Sequence, residues 1–213
     1  VPLRSQKLHF ANSLRSVDEM GNVIPPRRPA RVLVVDDNPD LARVMSELLS
    51  SAGYDVISLT DAEAALIEIR RQLPDLVLSD VIMPGLSGFE LCRQLKGDPH
   101  TRLIPFLLMT GLGDRTDKLK AIEAGADDLI SKPVYAEELF ARAKSLLKLK
   151  EFTDELETAE SVICTLALSV ESRDTYTEGH CDRLSANAVS LGHFLDLDED
   201  SIVALRRGGY LHD

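Results

Sequence analysis

The chain has 213 residues, of which 28% are charged and 44% are hydrophobic, and its formal net charge is −11. This length suffices for one ordinary domain plus a further element, and the composition is typical of a soluble globular protein. The acidic balance argues against a broad basic face for nucleic acid, and no apolar run approaches the ~18 residues of a membrane span. The N-terminus lacks the features of a signal peptide, and the three cysteines are scattered. We therefore predict a cytoplasmic protein that binds neither nucleic acid nor membrane.

Residues 1–30 form a polar lead-in that ends in "IPPRRPA", whose prolines and arginines are typical of a linker. Five apolar segments then alternate with helical patterns: "RVLVV", "YDVISL", "DLVLS", "PFLLM" and "DDLIS". They are continuous apolar runs, as expected for strands that helices cover on both faces. The pattern predicts an α/β fold with a doubly wound, five-stranded parallel sheet.

The last helical segment of this pattern continues well past the length that the sheet needs. No glycine or proline interrupts residues 137–173, and apolar side chains recur there every seven residues. The repeat consists of Leu149, Leu156, Ile163 and Val170, with Phe152, Ala159 and Leu166 three residues after the first three. We call these positions the seam. They predict a two-stranded coiled coil and a homodimer, the alternative being a long amphipathic helix that lies on its own domain.

Two adjacent carboxylates, Asp36 and Asp37, directly follow the first predicted strand. One interpretation is the start of a helix, because Asn38 before Pro39 is a common capping arrangement. The other is a site for a cation or for chemistry, since two neighbouring like charges are otherwise costly. Both interpretations stay open at this point.

Other strand ends supply partners for these carboxylates. Asp80 ends the third strand, Thr110 ends the fourth and Lys132 follows the fifth. In a doubly wound sheet these ends share one rim, which is where such folds bind ligands. Three carboxylates with room for water suit Mg²⁺, while a hydroxyl and an ammonium group can hold the oxygens of a phosphoryl group.

The pieces "VVDDN", "LSDVIMPGLSG", "LLMTG" and "ISKP" resemble the receiver domain of bacterial response regulators, in order and in spacing, over residues 31–150. The resemblance implies a flavodoxin-like sheet in the strand order 2-1-3-4-5, followed by the long helix and a partial all-α segment. It also implies a sensor histidine kinase or a phosphotransfer protein as partner. A cis peptide at Lys132–Pro133 is a further expectation, because cis bonds are essentially a proline feature.

The resemblance assigns a role to each residue of the rim. Asp80 is implied to accept a phosphoryl group, Thr110 to be the switch hydroxyl and Lys132 to contact the phosphate. The implied Mg²⁺ ligands are Asp36, Asp37, Asp80 and the backbone carbonyl of Ile82.

Three positions bear on how the switch works. Leu129 stands where the family frequently has an aromatic residue, so a rotamer switch of the tyrosine type is not expected. Ile82 and Leu112, two residues after Asp80 and Thr110, cannot hydrogen-bond an attacking water. We therefore predict slow loss of phosphate, because water is excluded rather than oriented.

The stretch "ESRDTYTEGHCDRLS" resembles the opening of HD-GYP domains, which are metal-dependent phosphohydrolases that act on cyclic di-GMP. The resemblance implies His180, His212 and Asp213 as metal ligands, and a di-metal site of the Fe or Mn type only in a complete domain. The other ligands and the GYP signature are not in this sequence, so we expect no phosphodiesterase activity from the 213 residues. The predicted segments are a tail (1–29), a receiver domain (30–148), a coiled-coil linker helix (149–173) and a truncated HD-GYP start (174–213).

Three alternative functions are compatible with this fold class: a phosphatase, a flavin carrier and a signalling module without enzymatic output. A haloacid-dehalogenase-like, Mg²⁺-dependent phosphatase also uses a strand-end aspartate, but it needs an acid two residues later, where Asn38 and Ile82 stand. A flavin carrier is disfavoured because three carboxylates would repel its phosphate. A stand-alone dimerising signalling module without enzymatic output remains open.

Overall fold

The computed structural model describes residues 28–111, 115–171 and 179–212. Its five strands are β1 (Arg31–Val35), β2 (Asp55–Leu59), β3 (Leu76–Asp80), β4 (Phe106–Thr110) and β5 (Asp128–Ser131). They form one parallel sheet in the order β2-β1-β3-β4-β5. The predicted fold class and strand order are confirmed, and each strand agrees with its predicted segment to within one residue at either end.

Helices cover both faces of this sheet. Those that pack on it are α1 (Pro39–Ser51), α2 (Ala62–Arg71), α3 (Gly88–Gly97), α4 (Arg115–Glu123) and the first turns of α5 (Ala136–Glu171). The chain continues after them into α6 (His180–Phe194) and α7 (Glu199–Tyr210). Successive residues of each strand point to opposite faces. On β1, Leu33 and Val35 therefore join a core with α2, α3 and α4, while Val32 and Val34 join a second core with α1 and α5.

Helix α5 has 36 residues and, at ~1.5 Å per residue, is about 54 Å long. Its first turns pack on the sheet, where Leu139, Ala143 and Leu146 are buried. Beyond them the helix projects, and its seam side chains from Leu149 to Leu166 are exposed. The part of α5 up to about Leu147 lies on its own domain, and for the projecting part the two-stranded coiled coil stays a prediction.

Helices α6 and α7 form a tight antiparallel pair. A side chain at Gly209 would meet Ser185 Cα at 2.5 Å, and one at Gly192 would meet Ile202 Cδ1 at 2.5 Å. Glycines at both positions therefore allow the helices to touch. The pair contacts α5 through an ion pair between Arg207 and Glu160. Within the described ranges, none of the helices is long and apolar enough to cross a membrane.

Candidate functional site

Three carboxylates, Asp36, Asp37 and Asp80, meet at the carboxyl ends of β1 and β3, and we call them the acidic rim. Ligand oxygens from all three lie within 4.8 Å of one another. Asp36 is fully buried and Asp80 is 7% exposed, whereas Asp37 faces solvent. The sheet brings the three together because β1 and β3 are neighbours, with Val35 paired to Ser79.

The residues after β1 allowed two interpretations from sequence, a helix cap or a cation site, and the structure gives Asn38 and Asp36 different roles. The side chain of Asn38 accepts hydrogen bonds from the backbone N–H groups of Asp40 and Leu41, so Asn38 caps α1. Asp36 instead accepts the backbone N–H of Asn38 at 2.9 Å and directs its other oxygen toward the rim. The capping interpretation therefore holds for Asn38, and the cation-site interpretation stays a prediction for Asp36 and Asp37.

Asp80 is the last residue of β3, and its backbone is held tightly. Its Oδ1 accepts the N–H of Val81 at 2.8 Å, and its carbonyl accepts the hydroxyl of Ser79 at 2.9 Å. A Cβ at Gly88 would lie 2.0 Å from the Asp80 carbonyl oxygen, so only glycine fits there. Gly88 had no predicted role, although it lies in the piece "LSDVIMPGLSG".

Lys132 supplies the positive charge of the rim. Its Nζ lies 2.9 Å from Asp36 Oδ2 and 3.0 Å from Asp80 Oδ2. Burial opposes the charged form of Lys132, but the hydrogen bonds to the two carboxylates outweigh it and raise the pKa of the ammonium group. Burial raises the pKa of Asp80, with repulsion from Asp36 adding to it and the Lys132 ammonium opposing it.

Thr110 and Ile82 border this cluster. Thr110 ends β4 almost fully buried, and its carbonyl accepts the backbone N–H of Lys132 at 2.6 Å. The Lys132–Pro133 peptide is cis, as expected. The Ile82 side chain, on the loop after β3, is 60% exposed. Leu112 lies outside the described residues.

A second group of titratable side chains, the histidine pair, joins the start of α6 to the end of α7. His180 Nε2 lies 3.2 Å from His212 Nε2, and both rings are exposed. His212 Nδ1 lies 3.2 Å from the Gly209 carbonyl, which can only accept, so this contact places the His212 proton on Nδ1. The Nε2 lone pair of His212 is thereby directed toward His180. Asp213, the third predicted ligand, lies outside the described residues.

A flavodoxin-like sheet with a carboxylate cluster and a lysine at its carboxyl edge defines a receiver domain of a two-component system. Receiver domains generally bind Mg²⁺ through such a cluster, and they typically interact with histidine kinases or phosphotransfer proteins. The oxygen donors of Asp36, Asp37 and Asp80 fit this cation, because Mg²⁺ prefers carboxylates and water.

Comparisons with known proteins agree with this class. The family model of the response regulator receiver domain matches residues 32–144, more than half of the chain. The chain belongs to the response regulator receiver domain family. It is 44% identical to the response regulator PleD of Caulobacter vibrioides over 132 residues, which are 62% of this chain and 29% of PleD. It is 38% identical to the DNA-binding response regulator MtrA of Mycolicibacterium smegmatis over 121 residues, 57% of this chain and 52% of MtrA.

Solved structures show the same likeness. The receiver domain of a signal transduction histidine kinase from Syntrophus aciditrophicus has a TM-score of 0.54 at 38% identity, covering 56% of this chain and 90% of that one. The chemotaxis response regulator CheY4 of Vibrio cholerae has a TM-score of 0.53 at 29% identity, covering 55% and 98%. The chain thus spans less than two thirds of PleD and MtrA, and the match to these solved structures covers little more than half of it.

Proposed function

We propose that Asp80 accepts a phosphoryl group from a sensor histidine kinase or a phosphotransfer protein, and that this switches the chain between two signalling states. One observation carries the proposal: the Lys132 ammonium group lies within 3.0 Å of both Asp36 and Asp80 at the edge of the sheet. A carboxylate in this position is partly desolvated, has a counter-ion at hand, and is reachable from solvent at the rim. A cytoplasmic location is part of the proposal, because scattered cysteines suit a reducing compartment.

In the transfer step, an Asp80 oxygen forms the new O–P bond while the P–N bond of the donor phosphohistidine breaks, and the released imidazole takes up a proton. The Lys132 ammonium and the Thr110 hydroxyl then hold phosphoryl oxygens. A Mg²⁺ ion held at the rim would supply neutralising charge for these oxygens. Its proposed ligands are Asp36, Asp37, Asp80 and the carbonyl of Ile82.

Acetyl phosphate provides a direct test, because it transfers a phosphoryl group and releases acetate without a kinase. With Mg²⁺ present, intact mass should show one phosphoryl adduct per chain, and Asp80→Asn should abolish it. Asp61→Asn is the matched control, since asparagine caps α2 as well as aspartate does and Asp61 caps that helix. Phosphate release over many turnovers without an adduct would instead indicate a phosphatase of the haloacid-dehalogenase type.

The proposal includes signal transfer through a homodimer of α5. Five seam side chains are half or more exposed in the single chain: Leu149, Phe152, Leu156, Ile163 and Leu166. A continuous apolar row of this kind is typical of a protein–protein contact. The α6–α7 pair contacts α5 at Glu160, which is not a seam position, so the seam stays accessible to a second copy.

Sedimentation equilibrium tests this dimer. Leu156→Glu places a charge in the seam and should convert a dimer into a monomer, because a buried unpaired charge is costly. Thr165→Glu, also exposed on α5 but outside the seam, should leave the dimer intact. A monomer in the unmodified chain would contradict the proposal.

The proposed output is an HD-GYP domain, which begins in residues 174–213 after a receiver (30–148) and a linker helix (149–173). The histidine pair supports this, because the two Nε2 atoms are 3.2 Å apart, close to the ~3.4 Å between two imidazole ligands of one tetrahedral metal. Hydrolysis of cyclic di-GMP would belong to a complete domain. We expect none from these 213 residues, and the hydrolysis assay on this chain checks that expectation.

A further inference from the structure

A groove of about 950 Å³ lies at the end of the sheet opposite the acidic rim, between the sheet and the projecting part of α5. Its apolar surface comes from Tyr54, Leu147 and Ala159, and Ala30 forms part of the opposite wall. The α5 residues that line it include Glu151, Asp154 and Thr158. Among the seam side chains that the structure describes, only Ala159 touches the groove, so the groove opens on a different side of α5 from the seam.

The chain enters the domain at the edge of this groove. Arg28 lines it and donates two hydrogen bonds to the Asp75 carboxylate, at 2.8 and 2.9 Å. The same carboxylate accepts the backbone N–H of Arg31 at 2.7 Å. Residues 1–27 are therefore joined to a point that is fixed on the wall of the groove.

We propose that the N-terminal segment, residues 1–27, docks in this groove. Covalent attachment at the edge of the groove gives the segment an effective concentration in the millimolar range. Even as a helix, 27 residues would extend about 40 Å, whereas the α5 wall from Lys144 to Ala159 is about 22 Å long. The segment is thus long enough to follow the groove to its far end.

The composition of the segment fits the surface that it would cover. It carries apolar side chains at Leu3, Leu8, Phe10, Leu14, Val17, Met20, Val23 and Ile24. Its charged residues are mostly basic: Arg4, Lys7, Arg15 and Arg27, against Asp18 and Glu19. The α5 wall of the groove carries charges of both signs, since Glu151, Asp154 and Glu155 line it together with Lys144, Lys148 and Lys150, and Lys150 pairs with Asp154. A docked segment would brace the first projecting turns of α5 against the receiver domain.

Hydrogen exchange measured by mass spectrometry on the full chain tests this docking. Thr158→Arg puts a bulky positive charge into the groove, and Thr165→Arg is the matched control. Both threonines are exposed on α5, and each donates its hydroxyl to the carbonyl four residues earlier. Amides within residues 1–27 should exchange about tenfold faster in the Thr158→Arg variant than in the other two chains, since local opening sets the exchange rate.

Two outcomes would overturn the proposal. Equal exchange of residues 1–27 in all three chains would show that the segment does not use the groove. Protection that increases with protein concentration would assign the groove to a second copy instead. Neither outcome depends on whether Asp80 is phosphorylated, because the measurement uses the unphosphorylated chain.

Discussion

The acidic rim and the histidine pair both gather titratable side chains from distant parts of the sequence, but they are built differently. The rim lies at the ends of neighbouring strands, two of its carboxylates are buried, and Lys132 supplies a counter-ion. The histidine pair lies at helix ends, is exposed, and depends on how closely α6 and α7 approach. A sheet fixes its strand ends through ladders on both sides, whereas two helices can move apart. We therefore expect the acidic rim to keep its geometry until the receiver domain as a whole unfolds.

The largest expected effect comes from Gly88, which lies against the backbone of the rim. Gly88→Ala places a Cβ 2.0 Å from the Asp80 carbonyl oxygen, and backbone at the end of a central strand cannot move away cheaply. We expect a loss of about 3 kcal/mol in the free energy of unfolding, measured by urea denaturation. Gly97→Ala in the same helix meets nothing within 4 Å and should be neutral or slightly stabilising. Equal values for the two variants would show that the rim tolerates backbone movement.

The contrast between Gly88 and the carboxylates shows what the sequence can and cannot predict. Strand-end positions place Asp36, Asp80 and Lys132 on one rim, because parallel strands end together and side-chain chemistry follows from residue type. The requirement for Gly88 depends on a contact between a helix and a strand end. No periodicity in the sequence reports such a distance.

The next largest effect concerns the lifetime of the phosphoryl group on Asp80. Ile82 is 60% exposed beside the rim and offers no hydrogen bond to water. Ile82→Asn should speed the loss of phosphate by about tenfold, because an amide can orient the attacking water. The rate is followed by intact mass after acetyl phosphate is removed. Ile67→Asn is the control, because Ile67 is also exposed, at 70%, but lies on α2. An unchanged rate in Ile82→Asn would refute the role of water exclusion.

A smaller effect is expected on how the free energy of unfolding depends on pH through Asp80. Burial raises the pKa of Asp80, so the folded state favours the protonated form more than the unfolded state does. The stability that protonated Asp80 contributes is fully present below the pKa of Asp80 in the unfolded chain. It is lost as the pH rises through the pKa of Asp80 in the folded chain. Asp80→Asn should therefore increase the free energy of unfolding at neutral pH, and the gain should vanish in acid.

Urea denaturation across this pH range measures the effect, with Asp37→Asn as the control. Asp37 is exposed, so its replacement should change stability less. Added Mg²⁺ should stabilise the unmodified chain more than Asp80→Asn, because the variant lacks one carboxylate ligand. A loss of stability in Asp80→Asn at neutral pH would mean that the ion pair with Lys132 outweighs the cost of burial.

Contacts between distant residues in the second half of the chain were harder to predict from sequence than the contacts within the sheet. The seven-residue repeat predicted a continuous helix, and α5 extends over Ala136–Glu171. The proximity of His180 and His212 came only from a family resemblance, since a separation of 32 residues along the chain gives no geometric constraint by itself. No sequence pattern indicated the groove beside α5, because it forms where the helix extends past the end of the sheet.

The smallest expected effect is on transition-metal binding by the histidine pair. Two exposed imidazoles, without a described third ligand, should bind Co²⁺ or Mn²⁺ only weakly. Gly209→Ala forces a Cβ to within 2.5 Å of Ser185 Cα, so α7 must shift and carry His212 away from His180. We expect metal affinity, measured by calorimetry, to fall about tenfold, while the receiver domain keeps its phosphorylation by acetyl phosphate. Gly208→Ala, whose Cβ meets nothing within 4 Å, is the matched control. Equal metal affinity in the two variants would show that the distance between His180 and His212 does not depend on how closely α6 and α7 approach. The proposed difference between the histidine pair and the acidic rim would then be wrong.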